Sequence, residues 1–127
     1  MPGCANQAFN ITNGDVFRWK HLWPALAKFF RLEPAGPQPY SLAEFLADKQ
    51  PLWDTMTAKH GLKPFPFERT SRFAKGDFSA PNSRLACEYD VITDTLKTRQ
   101  CGFAECIDSE HMFLRMFDRF RREKVIP

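Results

Sequence analysis

The chain has 127 residues, enough for one domain, and its 43% hydrophobic content with thirteen Phe and three Trp excludes intrinsic disorder. Its net charge of +3 arises from 18 basic and 15 acidic residues that are interspersed, so composition does not indicate nucleic-acid binding. No apolar run approaches the roughly 20 residues of a membrane span, and the N-terminus does not resemble a signal peptide. We therefore expect a soluble, cytoplasmic protein with reduced cysteines.

A short strand is predicted over Phe9–Thr12, where apolar and polar residues alternate as on a half-buried strand. The pair Asn13-Gly14 then favours a turn, since both residues tolerate positive φ. Asp15 is the expected N-cap of the next helix, because its carboxylate can accept the unpaired amide protons of a first helical turn.

The helix that follows Asp15 has more apolar surface than one helix can hide. From Phe17 onward the apolar period changes from two residues to about 3.6, which is typical of an amphipathic helix. Another part of the chain must therefore pack over this face. The face consists of Trp19, Leu22, Trp23, Leu26 and Phe30.

A proline-rich connector over residues 34–39 separates this unit from a run of short helices. Its three prolines and one glycine leave few amide donors and exclude a helix. Ser41 is a predicted N-cap, and Glu44 stands where it completes a capping box. A further helix carries Trp53 and stops at Gly61.

Three more elements are predicted before the final helix. Residues 68–78 are expected to be helical, and residues 89–92 to be short and extended. Asp94 can cap a short helix that Gly102 ends, because glycine readily adopts the left-handed conformation that follows a helix.

The final helix is predicted to begin after Ile107, with Asp108 or Ser109 as its cap. Asp118 and Arg122 form a favourable pair on its polar side. Its buried stripe is predicted from the spacing of Met112, Phe113, Met116, Phe117 and Phe120.

Two groups of residues resemble signatures of one enzyme family. The first resembles the sixth-strand region of the extended short-chain dehydrogenase/reductases, within the progesterone 5β-reductase and iridoid synthase (PRISE-like) branch. Its matching residues are Phe9, Asn10, Thr12, Asn13, Gly14, Asp15, Trp19 and Trp23. The second resembles a D-x-x-K…G-[FW] signature late in such enzymes, whose role there is mainly structural. Its matching residues are Asp94, Lys97, Gly102 and Phe103.

The resemblance runs from about Ala5 to Pro127 and covers only the C-terminal third of such an enzyme. It implies a fold that is mostly α with one or two short strands. This fold would be the C-terminal lobe of a Rossmann-type α/β reductase that lacks the dinucleotide-binding half. Residues 1–127 would form a single substrate-binding lobe, in which residues 6–14 are a residual Rossmann edge strand and turn.

The resemblance also implies a substrate pocket, lined in the parent enzyme by residues of this lobe. The substrate of the parent enzyme would be a hydrophobic carbonyl or enone compound, and its cofactor NADPH. Ordinary core aromatics remain the alternative interpretation of the pocket residues. The candidates are Phe73, Trp53, Phe67 and Phe78.

The residues for hydride chemistry are missing from this sequence. No two of its six glycines are close enough to form a pyrophosphate-binding turn. The family's catalytic motif is Tyr-x-x-x-Lys, whereas Tyr40 is followed four residues later by Glu44, and Tyr89 by Thr93. We expect no catalytic residue, no cofactor bound by this chain alone and no activity in isolation.

A metal site and a catalytic triad are weaker alternatives. Cys101, Cys106 and His111 are spaced five apart, with Cys87 upstream, but no C-x-x-C motif supports zinc. Free thiols are the favoured interpretation, and we predict no metal. The three histidines are far apart and have no nucleophile motif beside them.

Two functions therefore remain open. The first is the substrate-binding part of a reductase that is separated from its Rossmann half, through a split gene, a truncated gene or a degraded copy. Its partner would be a Rossmann-half chain. The second is a free-standing ligand-binding or protein-interaction module derived from that lobe, in which exposed apolar surface favours self-association. Phe9, Ile11, Trp19 and Trp23 would be the exposed residues.

Overall fold

The computed structural model describes residues 4–36, 38, 41–77 and 92–127, and the backbone alone of residues 73–77. Within these ranges every regular element is a helix, and no strand is formed. The helices are α1 (Trp19–Phe29), α2 (Leu42–Phe45), α3 (Gln50–His60), α4 (Phe67–Asp77), α5 (Leu96–Gln100) and α6 (Ser109–Arg122).

The strand predicted over Phe9–Thr12 is therefore wrong for this chain. A strand exists only through hydrogen bonds to a neighbouring strand, and no other described segment provides one. The carbonyls of Ala8 and Asn10 instead accept hydrogen bonds from the side chains of Lys97 and Thr98, at 3.0 and 2.7 Å. The second segment predicted as extended, residues 89–92, lies outside the described residues except for Ile92.

The chain divides into two compact units, and α6 contributes residues to both. The first unit comprises Met1–Ala35 and Val91–Met116, and its core lies on α1. Leu22 and Leu26 are buried there with exposed fractions of only 2% and 7%. The apolar face predicted for α1 is thus confirmed at its two leucines.

The same face of α1 is open at its tryptophans. Trp19 and Trp23 keep 43% and 55% of their surface exposed. The predicted cap of this helix is also wrong, because α1 begins at Trp19 after Arg18, and no side chain caps it. The carboxylate of Asp15 binds elsewhere in the first unit, as described below.

The second unit comprises Gly36–Asp90 and Phe117–Pro127, and its caps follow the prediction. The Ser41 hydroxyl accepts the Glu44 amide at 3.3 Å at the start of α2. Gly61 ends α3 in the left-handed conformation with φ of 59°. Leu62 and Phe67 are its buried apolar residues in the described part of the chain.

Across the described residues, no helix combines the length and the hydropathy needed to cross a membrane.

Candidate functional site

The two signature stretches meet in the first unit, through residues that are 84 and 88 positions apart in sequence. Asn10 donates from its side-chain amide to the Asp94 carbonyl at 3.0 Å, and its own carbonyl accepts the Thr98 hydroxyl at 2.7 Å. Thr98 is a buried polar residue, only 5% exposed. Asn10 is therefore held by the start and the middle of the short α5 region.

Lys97 extends this contact toward the N-terminus. Its ammonium group donates to the Gln7 side-chain oxygen at 2.9 Å and to the Ala8 carbonyl at 3.0 Å. The same nitrogen lies 4.8 Å from the centroid of the Phe9 ring, within the range of a cation–π interaction. Lys97 thus binds the peptide segment itself and leaves little of its charge for a ligand.

The short helix α5 has the glycine predicted after its C-terminus, whereas its N-cap is Thr95 and the predicted Asp94 stands one residue earlier. Asp94 accepts the amide of Leu96, the first residue of α5, at 2.8 Å. Gly102 follows the helix with φ of 87°, a conformation that favours glycine. Phe103 then donates its amide to the Thr98 carbonyl at 3.2 Å, and its ring is 42% exposed.

Asn13 joins the N-terminal segment to the beginning of α6. Its side-chain amide donates to the Ser109 hydroxyl at 2.9 Å and lies 3.3 Å from the Met112 sulfur. Its carbonyl accepts the Ile107 amide at 2.7 Å. Every hydrogen bond that the structure shows for Asn13 is made to α6 or to the residues just before it.

Asp15 binds the N-terminus of α6 and not that of α1. Its two carboxylate oxygens accept the amide and the hydroxyl of Ser109, each at 2.8 Å. Ser109 is only 1% exposed, so this carboxylate satisfies two buried donors. Asp108 accepts the amide of His111 at 2.7 Å, so the cap predicted for α6 is confirmed at Asp108.

Gly14 occupies a position where a side chain would be crowded. Its φ is 83°, and an added Cβ would lie 3.1 Å from the Glu105 carbonyl oxygen and 3.3 Å from the Cα of Cys106. The backbone of Gly14 in the first signature stretch therefore lies close to the segment that follows the second stretch.

A small depression lies between these residues within the first unit. Arg99 stands at its edge and donates to the Gly14 carbonyl at 3.5 Å. The volume of this depression is about 220 Å³ even when open solvent is included. Typical ligand pockets have roughly 300–1,000 Å³. It cannot hold a whole hydrophobic substrate. The lining residues are Asn10, Thr12, Gly14, Thr95, Thr98, Arg99, Phe103 and Glu105.

Three aromatic rings form a second feature of the first unit. Phe17 packs edge-to-face on Trp19, with centroids 5.4 Å apart. Phe113 of α6 lies 6.3 Å from Phe17 and 6.1 Å from Trp19. We call Phe17, Trp19 and Phe113 the aromatic cluster. Two of its members, Phe17 and Trp19, remain more than 40% exposed.

Two of the four residues predicted to line a substrate pocket can be located, and both belong to the second unit. The Trp53 and Phe67 rings lie 6.2 Å apart. The Trp53 indole donates to the Phe65 carbonyl at 3.0 Å, and Phe67 is buried. The side chain of Phe73 and all of Phe78 lie outside the described residues. A substrate-binding role for these four residues stays a prediction.

The predicted soft ligands do not form a metal cluster within the described part of the chain. There, no group of three or more His, Cys, Asp and Glu side chains is close enough to hold an ion. Cys87 lies outside that part. The neighbouring thiol of Cys101, together with burial, raises the pKa of Cys4.

Comparison with known proteins decides the family. The sequence profile of the PRISE-like Rossmann-fold domain matches residues 4–127. The chain belongs to this family. The resemblance inferred from the two signature stretches is confirmed, and both stretches fall within the matched residues.

Several relatives are similar in sequence to nearly the whole of this PRISE-like chain. An (S)-8-oxocitronellyl enol synthase of Antirrhinum majus is 35% identical over 130 aligned residues, which cover 100% of this chain and 32% of the relative. The enzyme of the same name from Catharanthus roseus is 32% identical over 99% of this chain and 32% of its own length. This chain thus spans about a third of the length of the relatives it matches.

Sequence reasoning missed several contact residues of the PRISE-like motifs. Ser109 was expected only as a possible cap, yet it is the buried partner of both Asn13 and Asp15. The sequence around Thr98 and Arg99 contains no motif that would predict their contacts. The only available signal is their place between Asp94 and Gly102, which puts them on the helix that those two residues delimit.

Proposed function

We propose that this chain is the substrate-binding portion of a cytoplasmic NAD(P)H-dependent short-chain reductase, and that another stretch of polypeptide supplies the dinucleotide site. The observation that carries the proposal is the family match over residues 4–127 in a chain that spans a third of its relatives. These 127 residues contain neither a glycine-rich turn nor a Tyr-x-x-x-Lys motif. The parent reaction would be reduction of a carbonyl or enone compound.

The charges at the N-terminus of α6 support this division of labour. A helix N-terminus can bind a pyrophosphate through its free amides and its dipole. The first turn of α6 already has the carboxylates of Asp15 and Asp108 as hydrogen-bond partners. A phosphate placed there would meet two negative groups, so α6 does not provide a dinucleotide site.

The unpartnered side of the N-terminal segment also supports an additional stretch of polypeptide. Alternate residues of an extended chain direct their amide and carbonyl groups to opposite sides. Ala8 and Asn10 have partners near α5, whereas the backbone groups of Phe9 and Ile11 bind nothing in the described part of the chain. A strand of a Rossmann sheet could pair with Phe9 and Ile11 and would complete the strand that is missing here.

A chimera tests the proposed function. This chain replaces the matching third of the Antirrhinum majus relative, and the product is assayed for NADPH oxidation with a panel of α,β-unsaturated aldehydes and ketones. We expect substrate-dependent NADPH consumption. A folded chimera that binds NADPH but reduces none of these compounds would contradict a substrate-binding role.

A variant of the same chimera tests the predicted pocket. Phe73→Ala should raise KM for the enone by about tenfold, because a lost aromatic contact to an apolar substrate weakens its binding. Arg72→Ala is the matched control, since Arg72 is the exposed neighbour on α4. An equal effect of both substitutions would place the substrate away from Phe73.

A protein-interaction module is the second candidate. The exposure of Ile11 (61%), Val16 (84%) and Trp23 (55%) favours it, because large exposed apolar patches mark interfaces. Two measurements on the 127-residue chain separate the two candidates. Sedimentation reports self-association, and a hydrophobic dye reports uncovered apolar surface. Stable self-association without dye binding supports the module, whereas a monomer that binds the dye supports an uncovered reductase surface.

A further inference from the structure

The pair Asn13-Gly14 has the sequence in which an asparagine side chain most readily loses ammonia. Glycine has no side chain to hinder the approach of its amide nitrogen to the side-chain carbonyl carbon of the preceding asparagine. Both residues are half-buried in the first unit, and Gly14 has φ of 83°. The proposed function gives this pair no chemical role.

The fold restrains both reacting groups of this pair. The Asn13 side-chain nitrogen, which would leave as ammonia, donates to the Ser109 hydroxyl at 2.9 Å. The Gly14 amide, whose nitrogen would attack, donates to the Thr12 hydroxyl at 3.2 Å. The Asn13 carbonyl accepts the Ile107 amide at 2.7 Å, which holds the backbone between the two groups. The attack therefore requires local opening of the contact between the N-terminal segment and the beginning of α6.

We propose that Asn13 is a deamidation site whose reactivity is controlled by its contact with the beginning of α6. In the opened form, the Gly14 amide nitrogen loses its proton to solvent and forms a bond to the side-chain carbonyl carbon of Asn13. The carbon–nitrogen bond of the side-chain amide breaks, and its nitrogen takes a proton from solvent and leaves as ammonia. Water then opens the cyclic imide at one of its two carbonyl carbons, which leaves aspartate or isoaspartate at this position.

The product cannot restore the contact that opened. An asparagine side chain both donates and accepts hydrogen bonds, whereas a carboxylate only accepts them. The single proton of the Ser109 hydroxyl is already donated to Asp15 at 2.8 Å. A second carboxylate beside the same oxygen would find no donor there and would repel the charge of Asp15.

Two further features of the site oppose closure after deamidation. The α6 dipole favours a negative group, but the carboxylates of Asp15 and Asp108 already bind its first turn. Isoaspartate would also add one carbon to the backbone beside Gly14, where even a Cβ would lie 3.1 Å from the Glu105 carbonyl oxygen. The hydrolysis is irreversible, so each deamidated chain keeps a less stable first unit.

The test incubates the 127-residue chain in mildly alkaline buffer, folded and in guanidinium chloride, and follows intact mass and peptide maps. We expect the peptide that contains Asn13 to gain one mass unit in the unfolded chain and to do so much more slowly in the folded chain. Ser109→Ala should raise the folded rate by about tenfold, because loss of its hydrogen bonds raises the open population by about that factor. Ser41→Ala is the matched control, since this hydroxyl caps α2 in the second unit, and it should leave the rate unchanged.

Stability provides a second readout that does not depend on the Ser109 variant. Asn13→Asp reproduces one product and should lower the urea midpoint by roughly 0.5–1 M. Asn6→Asp makes the same change at an exposed position of the N-terminal segment and should leave the midpoint nearly unchanged.

Three results would overturn the proposal. The first is deamidation of Asn13 at equal rates in the folded and unfolded chains, or in neither of them. The second is a folded Ser109→Ala variant that deamidates no faster than the unsubstituted chain. The third is an Asn13→Asp variant that unfolds at the same urea concentration as Asn6→Asp.

Discussion

The carboxylate of Asp15 accepts two hydrogen bonds from Ser109, one from its backbone amide and one from its hydroxyl, each at 2.8 Å. Ser109 is the first residue of α6, so a side chain from the N-terminal segment serves as an additional cap for a helix near the other end of the chain. The helix dipole favours a negative group at this position. Asp15 therefore links the two pieces of sequence that form the first unit.

Removal of this carboxylate should destabilise the protein strongly. Asp15→Ala would leave two donors of the buried Ser109 without their acceptor, which should lower the free energy of unfolding by about 2–4 kcal/mol. Asp15→Asn should cost less, since one amide oxygen can still accept one of the two bonds. Urea unfolding of both variants measures the difference.

A surface aspartate on the same helix is the control for Asp15. Asp118 pairs with Arg122 on an exposed side of α6, and such pairs contribute little to stability. Asp118→Ala should leave the urea midpoint nearly unchanged. If Asp15→Ala destabilised the protein as little as Asp118→Ala, the hydrogen bonds between Asp15 and Ser109 would contribute nothing to the free energy of unfolding.

Two glycines with positive φ should differ in their tolerance of alanine. At Gly61 an added Cβ meets nothing within 4 Å, so Gly61→Ala should cost only the left-handed strain of about 1 kcal/mol. At Gly14 the same atom meets the Glu105 carbonyl oxygen and the Cys106 backbone, so Gly14→Ala should cost about 2–4 kcal/mol. Thermal unfolding of the two variants provides the comparison, and equal losses would contradict the close approach at Gly14.

Truncation of two adjacent residues of α1 should change the free energy of unfolding to very different extents. Leu22 is 2% exposed, and Leu22→Ala should lower the free energy of unfolding by about 2–5 kcal/mol because it leaves a cavity. Trp23 is 55% exposed, so Trp23→Ser should change stability little and should reduce binding of a hydrophobic dye. A strongly destabilised Trp23→Ser variant would show that this tryptophan is covered in solution.

The local ends of helices could be predicted from the sequence, because a cap depends on residues only a few positions apart. Ser41, Gly61 and Gly102 take the conformations or bonds that their types favour. The prediction for Asp15 was wrong because it considered only the nearby start of α1. The starts of α1 and α6 both offer amide donors to its carboxylate. The successful one lies 94 positions away, where no sequence pattern indicates it.

The strand and the contacts between motifs could not be predicted in the same way. The alternation at Phe9 and Ile11 reports burial on one face, but a strand also needs a partner strand, and the described part of this chain has none. The family resemblance identified the members of both signature stretches. It did not indicate that Asn10 binds the Asp94 carbonyl or that Thr98 is buried beneath it.

The pair of Arg119 and Glu123 should give a measurable pH effect. The hydrogen bond from Arg119, at 2.6 Å, lowers the pKa of the Glu123 carboxyl from its ordinary 4.5. A carboxyl with a lowered folded pKa stabilises the protein above its unfolded pKa, and this contribution disappears as the pH falls through the folded value. NMR titration of the Glu123 carboxyl should therefore give a value below 4.5.

The substitution Arg119→Gln tests the cause of this shift. The pKa of Glu123 should rise toward its ordinary value when the guanidinium is removed. Salt at about 1 M should weaken the effect of Arg119, because the screening length is then roughly 3 Å and the pair is exposed. An unchanged pKa in Arg119→Gln would assign the shift to other basic groups, such as Lys63.

The 127-residue chain should not bind NADPH by itself. Titration with NADPH, followed by tryptophan fluorescence and by calorimetry, should show no saturable binding at micromolar concentrations, because the sequence has no glycine-rich turn beneath a pyrophosphate. The matched control is the chimera described above, which contains the rest of the Antirrhinum majus relative. Saturable binding by the chain alone would contradict its assignment as a substrate-binding portion only.

The order of the first unit along the chain affects its synthesis. Ser109 is made 94 residues after Asp15, and at 5–20 residues per second it follows roughly 5–19 s later. Throughout that interval Trp19 of α1 is outside or leaving the ribosome without Phe113 of α6, the ring that it contacts. A nascent chain of this kind exposes apolar segments that a chaperone could shield, and its first unit can close only after the beginning of α6 has been made.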